Sequence, residues 1–447
     1  AYFASVPDYV TEHPAIVMGT LGEGNWAVFA YDLAESTVLF HQGRQEQSSI
    51  GLRPDSDGDY FTRTNDLFVG FLDPELGHLP QADLHQDALV RILDWMGSLN
   101  QPMPRLWHFP ERARAAAMFT GDTCGMSMDD FDNTIATADR LGIPYTTFMR
   151  IEHHREIEPD IQQSLMARGH DFGEHPWIGP SPSLDEMRTG LREQLGDFRE
   201  RYGYGPVSNR GHSCTWVGWT ESAKYLRENG VRIDTTFVGG HFFRGTYLNG
   251  SGLPVKLMDE QGELIDLYEQ CTNLSEDQYF SNKIMAPTLT IDECIKFTRK
   301  HLDDAVDHYH SVYNPCFHPR RTRPGGESTQ RWYEDALEYC IDRGFHFTNA
   351  SDWLDFNDGR ASLRLSRYIF DPGTLTLKFG LEAMLDVKGL GLIFPFTFRG
   401  RVMSSADIDG QPVAIGDQMI EGRRQVILPA DYVAGETRTW RISWNTE

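Results

Sequence analysis

The chain has 447 residues, 40% of them hydrophobic and 12% aromatic, enough for more than one well-packed core. Its 41 basic and 65 acidic residues leave a net charge of −24, and a surface of that sign repels nucleic acid and anionic membranes, so neither is an expected partner. No stretch approaches the ~20 apolar residues of a membrane span. The opening Ala1-Tyr-Phe-Ala has no basic n-region of a signal peptide, and an initial Ala in place of Met reads as a processed chain. An extracytoplasmic location is the working expectation. The six cysteines (Cys124, Cys214, Cys271, Cys294, Cys316, Cys340) form no C-x-x-C pair and read mainly as buried thiols. Cys124 and Cys214 lie two residues beyond Asp122 and His212, which makes them candidates to line a site.

In chain order, residues 15–21 and 26–32 read as two strands around the turn Gly22-Glu-Gly-Asn25. Residues 42–64, rich in Gln, Ser, Asp, Arg and Gly, read as a long surface loop able to reach over a neighbouring site. Leu84, Ala88, Leu89, Ile92, Leu93 and Met96 mark one face of a helix over 82–99. Hairpin, polar loop and helix resemble the closing part of a glutamine-amidotransferase-like domain of the trehalose-utilisation type. Residues 1–110 would then be a partial amidotransferase-like α/β region. That region contains no cysteine, so a shielding or packing role is expected in place of amidotransfer.

From residue 115 to about 353 strands and helices alternate. A strand ends at Asp122, a helix over 129–141 stops at Gly142, and a strand follows over 144–149. A helix over 159–167 closes at Gly169 before a strand that ends in Glu174 and His175. Ser183-x-x-Glu186 is a capping box that opens a charged helix to Tyr202. A strand over 207–211 ends in His212, and after a helix over 221–228 the strand 231–237 carries Asp234. Thr290-x-x-Glu293 caps another helix, the strand 312–318 ends in His318, and a helix over 330–342 and a strand over 345–349 complete the set. This alternation predicts a parallel sheet with right-handed crossovers, and polar residues at strand C-terminal ends favour a barrel.

The alternation is interrupted by an insertion at about 239–286. A hairpin over 256–267 turns near Gln261-Gly262, and His241-Phe-Phe243 and residues 250–254 read as a loop wall over the barrel mouth. From residue 361 short strands at 375–379, 391–398, 424–428 and 437–444 predict a small all-β sandwich over 361–447, with its Phe and Trp in the core. Neither flanking region groups Asp and His at strand ends, so chemistry is expected in the middle of the chain.

The middle is organised around Ala115-Ala-Ala-Met-Phe-Thr-Gly-Asp-Thr-Cys-Gly125, an apolar run that ends in one glycine-flanked acid. Alone, Asp122 would read as a helix cap or turn residue. With His175 and His212 at later strand ends, Asp122 becomes part of a candidate site for a divalent ion. Zinc is the foremost ion, with Fe, Co, Ni and Mn also compatible. His153-His154 reads as solvated and His170 as a structural hydrogen-bonder. His308 and His310, two apart in a helical stretch, cannot chelate together.

Phe119-Thr-Gly-Asp122, Gly169-His-Asp-Phe-Gly-Glu-His175, Arg210-Gly-His212 and Phe317-His318 together resemble a polysaccharide deacetylase of carbohydrate esterase family 4. The resemblance spans about residues 115–350. That family's motifs are Thr-Phe-Asp-Asp, His-x-x-x-His, Arg-x-Pro and Leu-x-His. Here Gly121 stands where the family keeps its catalytic base, Gly179 replaces the second histidine, and His212 replaces the proline. The resemblance implies that Asp122, His175 and His212 hold the metal, with His212 entering its shell as Gly179 leaves it. It further implies His318 as general acid, Arg210 as an orienting or oxyanion-steadying group, and Glu174 or Asp234 as the replacement base. The implied chain is α/β: a deformed (β/α) barrel of deacetylase type over 111–358, with the N-terminal α/β segment and the C-terminal sandwich. Its implied activity is metal-dependent removal of an acyl (acetyl) group from a carbohydrate. A non-catalytic carbohydrate-recognition protein on a decayed barrel, motivated by Gly121, and a metal-dependent lyase or glycosidase are the other classes.

Overall fold

The computed structural model describes residues 12–48, 62–70, 72, 76–98, 100–154, 156–239, 246–276, 289–323 and 328–445. The middle of the expected loop over 42–64, the loop wall His241-Phe-Phe243 and the end of the expected insertion lie outside the described residues.

The protein is mixed α/β, with a parallel sheet at its centre. Across that sheet the order is Leu264–Glu269, Ile233–Asp234, Ser208–Asn209, Asp171–Glu174, Tyr145–Met149, Phe119–Asp122, Pro315–Cys316 and Leu274–Ser275. The first and last of these are pieces of one run of chain. Within it Gln270 N donates to Asp234 O (2.8 Å) and Thr272 N to Phe237 O (2.8 Å), while Asn273 N donates to Asn314 O on the other side (3.0 Å). The sheet therefore curls until its two ends meet along residues 264–275. This corrects one expectation. The hairpin of Val255–Met258 and Leu264–Glu269 forms as expected, but its second arm is a strand of the sheet and no cover for its mouth. Leu267, Cys271 and Leu274 are fully buried or nearly so, as a parallel strand covered on both faces requires.

The helices begin and end where local chemistry directs. Ser183 Oγ accepts from Glu186 N (3.3 Å) while Glu186 Oε2 accepts from Ser183 N (2.8 Å), opening Leu184–Tyr202. Thr290 and Glu293 do the same for Ile291–Asp304. Gly142 ends Met128–Leu141 in the left-handed region at φ 68°, which costs a glycine little. Between sheet and helices Phe119, Tyr145, Phe317, Trp332 and Tyr333 form a buried aromatic cluster.

At the N-terminus the expected hairpin joins Ile16–Leu21 to Gly24–Phe29, and the expected helix is Gln81–Ser98. A further helix, Leu33–Gln42, is capped by Asp32. The described part of the polar loop reaches the segment that carries His212: Trp216 N donates to Thr62 O (3.0 Å) and Arg63 Nε to Ser213 O (3.1 Å).

The C-terminal region forms two antiparallel sheets. One has the order Arg364–Asp371, Thr376–Glu382, Thr437–Asn445, Arg401–Ile408 and Thr397–Phe398. The other runs Asp417–Ile420, Arg423–Tyr432, Val387–Pro395 and Arg105–Pro110. The last of these strands comes from before the central sheet, so the chain enters the C-terminal region before it builds the site. Trp107, Phe109, Trp353, Leu392, Trp440 and Trp444 share one buried cluster, so the aromatics are core as expected. Among the described residues no helix is long and apolar enough to cross a membrane.

Candidate functional site

Asp122 ends the buried strand Phe119–Asp122, and strand alternation puts Thr120 on its side and Gly121 on the other. A Cβ on Gly121 would stand 1.9 Å from the Tyr145 hydroxyl oxygen and 2.1 Å from Phe317 O, so the glycine makes room for a tyrosine–carbonyl hydrogen bond. The next helix is capped by Ser127, which removes the capping role from Asp122. Arg210, only 1% exposed, lies beside the carboxylate. Its Nη1 donates to Asp122 Oδ1 (3.0 Å), and its Nη2 donates to Thr120 Oγ1 (2.7 Å) and Thr272 Oγ1 (3.0 Å). Burial alone would raise the Asp122 pKa, but His175, Arg210 and His318 outweigh it and hold the carboxyl well below the usual range. Asp122 is an oriented anion.

His175 follows the strand Asp171–Glu174. Its Nδ1 lies 2.6 Å from Arg210 O, a group that can only accept, so Nδ1 carries a hydrogen and Nε2 faces inward. That Nε2 is 3.5 Å from Asp122 Oδ2 and 3.1 Å from His212 Nδ1. His212 opens a tight turn in which Ser213 and Cys214 take positive φ values of 55° and 58°. Cys124 Sγ reaches His212 Nδ1 at 3.2 Å. Burial would raise the Cys124 thiol, but the charge of His175 and hydrogen bonds from His175, His212 and His318 push it down to about 3.

His175 thus touches both other members of the expected Asp122–His175–His212 triad. Ligand atoms of Cys124, His175 and His212 all lie within 4.8 Å of one another, and those of Asp122, Cys316 and His318 form a second such group. Two facing imidazole nitrogens, a thiol and a carboxylate are a donor set able to hold a divalent metal ion.

His318 completes the wall. Its Nε2 is 3.9 Å from Asp122 Oδ2, and its Nδ1 is 2.8 Å from Oε1 of Glu276, a fully buried carboxylate just past Leu274–Ser275. Burial would lower the imidazole pKa, but Glu276 outweighs it and raises it well above the usual value. Asp122, Cys124, His175, Arg210, His212 and His318 all line one cavity of about 380 Å³, together with Cys214. Both expected cysteines are therefore at the site. Glu276 was missed by the sequence reading.

The structure brings neither Glu174 nor Asp234 to this cavity. Glu174 precedes His175 along the chain and so faces the opposite side, where Oε2 lies 3.0 Å from His154 Nε2. His154 Nδ1 in turn lies 2.7 Å from Asp197 Oδ2. His153 and His154, expected in solvent, are buried at 6% and 1% exposure: Glu174 and Asp197 satisfy His154, and Glu156 Oε2 lies 2.6 Å from His153 Nδ1. Asp234 accepts from Asn209 Nδ2 (2.6 Å) and Thr236 Oγ1 (2.8 Å) and ties strand ends together. His170 is the structural hydrogen-bonder expected, accepting from Tyr145 N (3.2 Å) and facing Asp139 Oδ1 (2.9 Å).

No family model and no curated protein matches the sequence. Among solved structures, the chain is similar to a Mycobacterium smegmatis protein described as a polysaccharide deacetylase, at TM-score 0.44 and 18% identity over 57% of this chain and 94% of that one. Puue allantoinase follows at TM-score 0.42 and 17% identity, over 56% and 93% of the two chains. The peptidoglycan deacetylase PdaC from Bacillus subtilis matches at TM-score 0.34 and 11% identity, over 56% and 94%. These likenesses concern the course of the backbone; the chemistry lies in the side chains of this chain.

Proposed function

We propose that this protein is a metal-dependent hydrolase that removes an acyl group, acetyl foremost, from a carbohydrate outside the cytoplasm. In this reading the curled sheet is a deformed barrel of the deacetylase type, and the two C-terminal sheets are an appended β-sandwich. The observation that carries it is the meeting of His175 Nε2, His212 Nδ1 and Asp122 Oδ2 in one cavity with the His318–Glu276 pair. His175 and His212, with Asp122 beside them, would hold the ion, which would supply Lewis acidity toward the acyl carbonyl and an acidified water. Arg210 keeps Asp122 ionised and aimed; its donors are committed to Asp122, Thr120 and Thr272, so it orients in preference to steadying an oxyanion. His318, charged and fixed through Nδ1 by Glu276, presents Nε2 to the cavity and protonates the departing amine or alcohol.

Gly121 favours a second reading, non-catalytic carbohydrate recognition, because no side chain fits where the family's base would stand. Elemental analysis combined with acetate release from a panel of acetylated glycans separates the two. The hydrolase should carry one divalent ion per chain, lose it in His175→Ala and His212→Ala, and release acetate. Full occupancy in both variants would remove the cluster as a metal site. A metal-loaded protein that binds glycans of the panel and turns none over would favour recognition.

A further inference from the structure

We infer that Cys124 is a ligand of the metal, forming a Cys–His–His set with His175 and His212, and that Asp122 stands outside the coordination shell. The inference rests on the metal-dependent reading of the site.

Three observations support it. First, Cys124 belongs with the histidines in space: its Sγ is 3.2 Å from His212 Nδ1, and it shares with His175 and His212 a set of ligand atoms all within 4.8 Å of one another. Asp122 falls in a different set, with Cys316 and His318. Second, Asp122 is already engaged. Arg210 Nη1 holds Oδ1 at 3.0 Å, and Oδ2 points between His175 Nε2 (3.5 Å) and His318 Nε2 (3.9 Å). Third, the chemistry of the donors agrees. Thiolate and imidazole suit a borderline-soft ion such as Zn²⁺, and a catalytic zinc keeps three protein ligands and one open position. Adding Asp122 to Cys124, His175 and His212 would close that position.

The chain position of Cys124 fits this role. It lies two residues beyond Asp122, on the loop leaving the same strand, and is 7% exposed on the cavity wall. Asp122, released from coordination, is then the carboxylate that faces the cavity, where Gly121 offers none and Glu174 and Asp234 face elsewhere.

The test is the cobalt-loaded protein. Wild type should show a sulfur-to-cobalt charge-transfer band in the near ultraviolet, and the zinc form a sulfur shell at about 2.3 Å by X-ray absorption. Cys124→Ser should lose the band, whereas Asp122→Asn and Cys316→Ser should keep it. Bound metal should also shield Cys124 from iodoacetamide, read by peptide mass spectrometry on the wild-type chain. That measurement stands even if a variant fails to fold. A bound ion without a sulfur band, or a band lost in Cys316→Ser and kept in Cys124→Ser, overturns the inference and leaves the hydrolase reading intact. So does equal alkylation of Cys124 with and without metal. A wild-type chain that binds no ion overturns both.

Discussion

Glu276 Oε1 lies 2.8 Å from His318 Nδ1, and the carboxylate is wholly buried. The contact fixes the ring, leaves Nε2 toward the cavity, and favours the charged imidazole. A proton donor of this kind works below its pKa and fails as pH rises through it. Glu276→Gln takes away the charge that raises His318, so the alkaline limb of the kcat/KM profile should move to lower pH. His318→Ala should keep its metal and lose about a hundredfold or more in rate. An alkaline limb that stays in place in Glu276→Gln would remove the pair from proton transfer.

Gly121 cannot be repaired by giving back a carboxylate. The Tyr145 hydroxyl donates to Phe317 O at 2.7 Å through the space a side chain would need. Gly121→Ala should cost at least the ~1–3 kcal/mol usual for an overpacked core, and Gly121→Asp more, with no gain in turnover. Urea unfolding and acetate release check this. A stable Gly121→Asp with raised turnover would show that Tyr145 can yield.

The Glu174–His154 pair lies outside the cavity and ties stability to pH. Burial pushes the Glu174 carboxyl up to about 7. For His154, burial lowers the pKa but is outweighed by its bond to Glu174, so the imidazole is raised. The folded pair keeps a proton that an unfolded glutamate releases near pH ~4.3. Between there and about 7 the folded state binds more protons, so stability falls as pH rises. The raised His154 has the same sign. Glu174→Gln should flatten the fall in Tm across that window and keep metal and turnover. Loss of metal in this variant would return Glu174 to the site.

The fold leans on the C-terminal sheets. Leu390, Leu392 and Ile393 pair with Pro110, Leu106 and Arg105, and the strand they cover carries the buried Trp107 and Phe109. A chain ending at Ser362 should bind a hydrophobic dye and lose its near-ultraviolet circular dichroism. A soluble truncation with native spectra and bound metal would show that the central sheet folds alone.

What could be read in advance was whatever local rules determine. Capping boxes at Ser183 and Thr290, the stop at Gly142, and an Asp or His at several strand ends are patterns of a few residues. Asp122, His175, Arg210, His212 and His318 accordingly all reach the cavity. Alternation along a strand was also available, and it places Glu174 opposite His175; proximity in sequence to a ligand was the poorer guide. Glu276 carried no such signal, because the strand before it is two residues long and its partner His318 lies 42 residues away. The strand Arg105–Pro110 was hidden for the same reason, since its pairing with Val387–Pro395 joins distant parts of the chain.

Because the two ends of the central sheet meet along residues 264–275, the order in which the chain is made has a consequence. Asp122, Cys124, His175 and His212 all precede residue 240, whereas Glu276 and His318 follow the closing run. Chains emerge N-terminus first, so Ile233–Asp234 waits as an open edge until Tyr268 and Glu269 arrive to pair with it. Pairings across such separations form slowly, and pulsed hydrogen exchange should find the amides of 264–275 protected late. In the proposed reading a metal ion would meet its donors on a half-made sheet, while the His318–Glu276 pair would form only after the circle has shut.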